Sequence, residues 1–257
     1  MKKLIRRTIM AVLLLLFIGS VGMIVFVLKQ YRDDERLYDK ASGEFTEYTE
    51  EEGTEGAETA PITVDFDALR RVNEDVAGWI YCEGTVIDYP VMQGKDNDLY
   101  LHHAYDRSYS VSGSIFVDAQ NRRGFVDANT IIYGHHMKNG SMFASLSGWA
   151  DQRYYEAHPV MWLLTPERDY KIILFSGYTT SADSDTYTMF SEPTQEFKEY
   201  LGNVAAKSDF HAEAELPADG HYVVLSTCAY VFDNARYVLH GRLVPADSAG
   251  GVRMSGE

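Results

Sequence analysis

Apolar positions are laid out along this chain in three different rhythms. From Thr8 to Leu28 they run on without one charged residue. Wound as a helix rising about 1.5 Å per residue, such a run matches the roughly 30 Å hydrocarbon core of a bilayer. In VDFDALRRVNEDVAGWI the rhythm changes: Phe66, Leu69, Val72 and Val76 recur at helical spacing, which predicts a short amphipathic helix. Beyond it come short β-rich runs between turn signals, at 79–82, 86–91, 113–117, 130–133, 161–164, 170–176, 222–228 and 236–243. In the long gap before 222, EPTQEFKEYLGNVAAKSD sets Phe197, Tyr200, Leu201 and Val204 on one helical face, after a proline suited to a first turn. About eight short strands with few helices predict a mostly β fold, a closed or nearly closed barrel rather than a parallel α/β sheet.

The flanks of the apolar run set its orientation. Lys2, Lys3, Arg6 and Arg7 favour a cytoplasmic tail at 1–7, a single-pass anchor at 8–28 and everything later outside the cell membrane. A cleaved signal peptide is the competing reading, with Ser20-Val21-Gly22 as a small-x-small site. The run continues apolar through Met23 to Leu28, longer than the about 7–15 residues of a signal core, which favours the anchor. Residues 29–61, with ASGEFTEYTEEEGTEGAETAP, are acidic and poor in large aliphatics, and predict a flexible stalk. The folded domain is expected over 62–246, with a frayed tail at 247–257.

Composition narrows the function. The net charge of −15 argues against a nucleic-acid partner, which calls for a basic patch. The two cysteines, Cys82 and Cys228, are too few for a disulfide framework, and an unpaired thiol in an exported protein is a candidate for chemistry. Cys82 lies in GWIYCEG, an expected core strand, and is read as packing.

Cys228 ends the strand-like run YVVLSTC. Period-two alternation places Ser226 and Cys228 on one face, Leu225 and Thr227 on the other. The next run, RYVLHGRLV, opens at Arg236. If the two form a hairpin, strands about 4.8 Å apart bring Arg236 to the thiol. A fixed cation there can stabilise an oxyanion on a carbonyl under attack. In NTIIYGHHMKNGSMF a short strand ends at Gly134, which permits a tight turn, followed by His135 and His136. An imidazole can act as general acid and base near neutral pH. The His102-His103 and His135-His136 pairs have no ligand spacing that completes a tetrahedral metal site.

Together these pieces resemble the sortases: a VLSTC strand end at 224–228, Gly134-His135, and an arginine eight positions past the cysteine. GWI, IDYPVMQGKDNDLYLHH, GSIFVDAQN and IIYGHHMKNGSMF, with the helix-bearing insertion before 222, are similar to the class B branch. Val224 departs from the commoner TLxTC form but stays apolar and β-branched. The resemblance covers roughly 64–245. It implies an eight-stranded sortase barrel with no required cofactor, Cys228 as nucleophile, His135 as acid/base and Arg236 at the oxyanion. It places Ser226 and Thr227 along the substrate groove, and leaves His136 without a role. The implied activity is cleavage of a C-terminal sorting signal after Thr and transfer of the surface protein to a cell-wall peptide amine. A membrane-anchored cysteine hydrolase shares every one of these residues. A pilin-polymerising sortase and a non-catalytic surface module remain further alternatives.

Overall fold

The computed structural model of the protein describes residues 2–49 and 59–246. The expected frayed tail and residues 50–58 of the expected stalk lie outside the described residues.

The N-terminal helix α1 spans Lys2–Phe45, and β1 (Thr46–Tyr48) pairs antiparallel with β2 (Ile62–Val64). Then follow α2 (Phe66–Val72), β3 (Val76–Tyr81), β4 (Asp88–Met92), β5 (Ile115–Val117), β6 (Asn129–Tyr133) and α3 (Gln152–Ala157). The chain continues through β7 (Val160–Leu164), β8 (Asp169–Ser181), α4 (Gln195–Ala206), β9 (His221–Cys228) and β10 (Ala235–Ala246). Strands β3 to β10 close into a barrel in the order β10-β8-β7-β3-β4-β5-β6-β9. The pairs β4–β5 and β6–β9 are parallel. Each of the eight runs expected from periodicity falls on one of these strands.

Two apolar clusters hold the barrel. The larger includes Trp79, Ile80, Val91, Ile115, Ile132, Leu163, Leu174, Leu225 and Leu239. Burying each such side chain fully contributes roughly 1.5–3 kcal/mol. The second lies where α4 packs Phe197, Tyr200, Leu201 and Val204 against Phe175, Tyr178, Val224 and Val238. β9 therefore alternates, with Val223 and Leu225 in the larger cluster and Tyr222 and Val224 in the one under α4. By that parity Ser226 and Cys228 emerge on the α4 side.

Local chemistry sets the helix ends. Asp65 caps α2 by accepting from the Ala68 amide at 2.8 Å, and Thr194 caps α4 by accepting from the Phe197 amide at 3.1 Å. Pro193 thus precedes the cap instead of sitting in the first turn. Val76, expected on the helix face, opens β3. The helix stops at Val72 because the Asn73 amide group turns inward, donating to the Tyr105 carbonyl at 2.6 Å and to the Tyr100 hydroxyl at 2.8 Å.

The expected flexible stalk differs most. Residues 29–45 continue α1 without a break, and 46–48 form β1. Asp34, Tyr38, Ala41 and Phe45, spaced four, three and four residues apart, are buried against the barrel. The Asp34 carboxylate accepts from the Ser112 amide at 3.0 Å, and the Tyr38 hydroxyl donates to the Gly113 carbonyl at 2.5 Å. Ser42 donates to Asp88 at 2.5 Å, and Asp88 also accepts from the Trp79 indole at 2.7 Å. Asp33, Glu35, Asp39 and Glu44 are exposed on this docked helix, whereas Asp34 is buried under it.

Candidate active site

The end of the barrel where β6 and β9 finish side by side carries the candidate chemistry. In the β9–β10 ladder Arg236 is the direct partner of Cys228. Directly opposed residues of an antiparallel pair have Cα atoms roughly 4.5–5.5 Å apart. Cys228 and Arg236 are both partly exposed, and the Arg236 Nη1 donates to the Ala235 carbonyl at 3.0 Å, which turns the guanidinium back along its own strand end.

β6 pairs parallel with β9, Tyr133 against Ser226, and the Gly134 amide donates to the Ser226 carbonyl at 3.1 Å. Those bonds carry the chain out of β6 beside the cysteine, with His135 next. Gly134 is needed there for space, not for a turn: a Cβ would stand 2.5 Å from Ile115 Cδ1 and 2.7 Å from Phe143 Cδ2. The Nε2 of His135 lies 2.8 Å from the Leu101 carbonyl. A carbonyl only accepts, so Nε2 carries the proton and Nδ1 is the nitrogen free to exchange one.

Cys228, His135 and Arg236 line a single groove of about 230 Å³. Ser226 and Thr227 line it too, in different ways. The Ser226 hydroxyl is 2.7 Å from the Tyr187 hydroxyl, whereas Thr227 Oγ1 is buried without a hydrogen-bond partner.

Periodicity gave no sign of the remaining wall, made by Asn97, Leu101, Phe116 and Tyr133. Behind it the buried Asp118 carboxylate accepts from the Tyr133 hydroxyl and from Asn97 Nδ2, each at 2.9 Å. Burial and then the Asp118 charge push the Tyr133 phenol well above its ordinary range, so it stays a donor. Asn97, Asp118 and Tyr187 sit in or beside irregular segments, and a polar side chain in a loop has no pattern to betray it. Cys82, in contrast, is buried, and burial pushes its thiol up to about 12, which leaves it protonated and inert.

A half-open groove with a thiol, a facing cation and an imidazole of fixed tautomer suits acyl transfer through sulfur, the chemistry of the sortase class of cysteine transpeptidases. Comparison with known proteins leads to the same class. The chain is 32% identical to Sortase B of Listeria monocytogenes over 245 residues, 95% of this chain and 98% of that protein. The crystal structure of sortase B from B. anthracis in complex with AAEK1 matches with a TM-score of 0.72 at 31% identity, covering 85% of this chain and 99% of the other. A Staphylococcus aureus sortase B–substrate complex matches with a TM-score of 0.67 at 30% identity, covering 71% and 85%. No family model matches the chain. The chain belongs to the sortase B family, cysteine transpeptidases built on this barrel.

Proposed function

We propose that the protein cleaves a C-terminal sorting signal of surface proteins after a Thr and transfers them to a cell-wall peptide amine. The Cys228 thiolate, its proton passed to His135 Nδ1, attacks the Thr carbonyl carbon, and Arg236 stabilises the oxyanion that develops. The C–N bond breaks as His135 gives its Nδ1 proton to the leaving amine, and a thioester remains on Cys228. The acceptor amine then attacks the thioester, His135 takes its proton, and the thiolate is released as the new amide forms. Ser226 and Thr227 border the bound signal. Residues 8–28 anchor the enzyme in the cell membrane with 1–7 in the cytoplasm and the barrel outside. α1 is the one helix among the described residues long and apolar enough to cross a membrane, which supports this reading.

The observation that carries the proposal is the shared groove of Cys228, His135 and Arg236. It is tested by a peptide-library cleavage assay with and without amine acceptors. A ligated product that appears only with the amine is expected. Free acid alone under both conditions would make the protein a hydrolase, and full turnover by Cys228→Ala would overturn the assignment.

A further inference from the structure

Outside α1, large apolar side chains that are exposed among the described residues occur singly, at Tyr48, Val72, Val86, Tyr109 and Val126, with one exception. At the tip of the β9–β10 hairpin Tyr230, Val231 and Phe232 stand consecutively, 76%, 72% and 52% exposed. They begin two residues past Cys228. On a chain of net charge −15, such a cluster beside the groove calls for a covering surface.

The topology says what lies there. β6 and β9 are parallel neighbours, so the loops that follow them leave the barrel from the same end. The loop after β6 runs alongside α1. Its Lys138 and Asn139 share a cleft with Met23, Ile24, Val27, Leu28 and Tyr31. These are the last two turns of the uncharged run, which ends at Leu28, and the first residues past it. Farther along, Asn139 to Met142 share a second cleft with Asp34, Tyr38 and Ser42, at the end of α1 docked on the barrel. The loop after β6 thus reaches from the docked part of α1 to the level where its apolar run stops. The hairpin tip is fastened to that loop, since the Tyr230 ring packs edge-on against His136 with centroids 5.4 Å apart.

We propose that Tyr230, Val231 and Phe232 enter the headgroup layer of the same lipid bilayer that α1 crosses, holding the mouth of the groove at the membrane surface. Aromatic side chains favour this interface, with an apolar body below and a hydroxyl at the wet level. The proposal rests on the reading of α1 as a membrane span. Two surfaces then fix the barrel's tilt, α1 on one side and the hairpin tip on the other, and Cys228 opens toward the lipid surface.

Tryptophan quenching in the full-length protein tests it, in phosphatidylcholine–phosphatidylglycerol nanodiscs with or without lipids brominated along the acyl chains. The native Trp79, Trp149 and Trp162 are buried and give a constant background. Three single variants are compared: Leu15→Trp within the apolar run, Val231→Trp at the tip, and Val126→Trp before the start of β6, at the opposite end of the barrel. Bromine should quench the added emission of Leu15→Trp and Val231→Trp and leave Val126→Trp unchanged. Quenching of Leu15→Trp with Val231→Trp behaving like Val126→Trp would overturn the tip's insertion and assign its apolar surface to another partner. An unquenched Leu15→Trp would overturn the span itself, and the insertion with it.

Discussion

The Tyr187 hydroxyl lies 2.7 Å from Ser226 Oγ, joining the β8–β9 connection to the strand two residues before Cys228. The Tyr187 ring stacks near Tyr133, centroids 6.5 Å apart, so one phenol links two walls of the groove. Burial pushes the Tyr187 phenol up, opposed by the Ser226 hydrogen bond and the Arg236 charge, and the group stays neutral at working pH. Tyr187→Phe and Ser226→Ala each remove a bond worth about 1 kcal/mol, or roughly fivefold in kcat/KM. Because the two hydroxyls act as one unit, the double variant should lose no more than the worse single variant. Steady-state kinetics on the four proteins of the cycle checks this, and losses that simply add would show that the pair is not coupled.

Arg236 faces Cys228 in the ladder with its backbone fixed on both sides, by β9 and by β8, where its partner is Thr180. In the proposed mechanism this cation acts on charge that develops during reaction more than on ground-state binding. Arg236→Ala should therefore lower kcat by about 10²–10³ with KM little changed. Arg236→Lys should fall between, since the charge is kept but the planar fork is lost. A large rise in KM with kcat intact would instead place the guanidinium on the bound signal.

Much of this was legible because strands and candidate site residues share the same segments. The run 222–228 is at once a buried strand and the carrier of Cys228, and the next run had to return beside it, which put Arg236 at the thiol. α1 beyond Leu28 was illegible for a physical reason. Its buried face is a single stripe, Asp34, Tyr38, Ala41 and Phe45, half of it held by polar bonds to Ser112 and Gly113. The polar bonds leave no mark in a hydropathy pattern, and the acidic residues between the members of the stripe mask its helical spacing. Gly134 was singled out correctly but for another reason, since Ile115 and Phe143 crowd it and no turn demands it. Asn97 and Asp118 act through hydrogen bonds between loops distant in sequence, which no local period encodes.

The docked half of α1 makes a prediction about where a soluble form can begin. A chain starting at Arg32 keeps Asp34, Tyr38 and Phe45 in place, whereas one starting at Pro61 exposes the barrel surface they cover and also strips β2 of its partner β1. Thermal melts should show the shorter form several degrees less stable, and Phe45→Ala in the longer form should cost about 3 kcal/mol. Equal melting temperatures for the two forms would return residues 32–49 to the role of a passive spacer.

His240 sets a pH limit on the α4 side of the barrel. It is fully buried, stacked on Tyr178 with centroids 5.5 Å apart and bordered by Phe175 and Tyr200, and its Nε2 has no hydrogen-bond partner. Burial first, and the charge of Lys207 second, lower its pKa from 6.5 to about 3. Lys207 is itself paired with Asp185 at 3.1 Å. The unfolded chain takes up the imidazole proton as pH drops through about 6.5, while the folded barrel resists until about 3. The stability tied to this group is thus complete above 6.5 and is lost progressively as pH falls toward 3. His240→Phe, which fills the same aromatic slot without a titrating group, should flatten the Tm profile between pH 6.5 and 4. An acid limb as steep in His240→Phe as in the parent would assign the loss to the carboxylates instead.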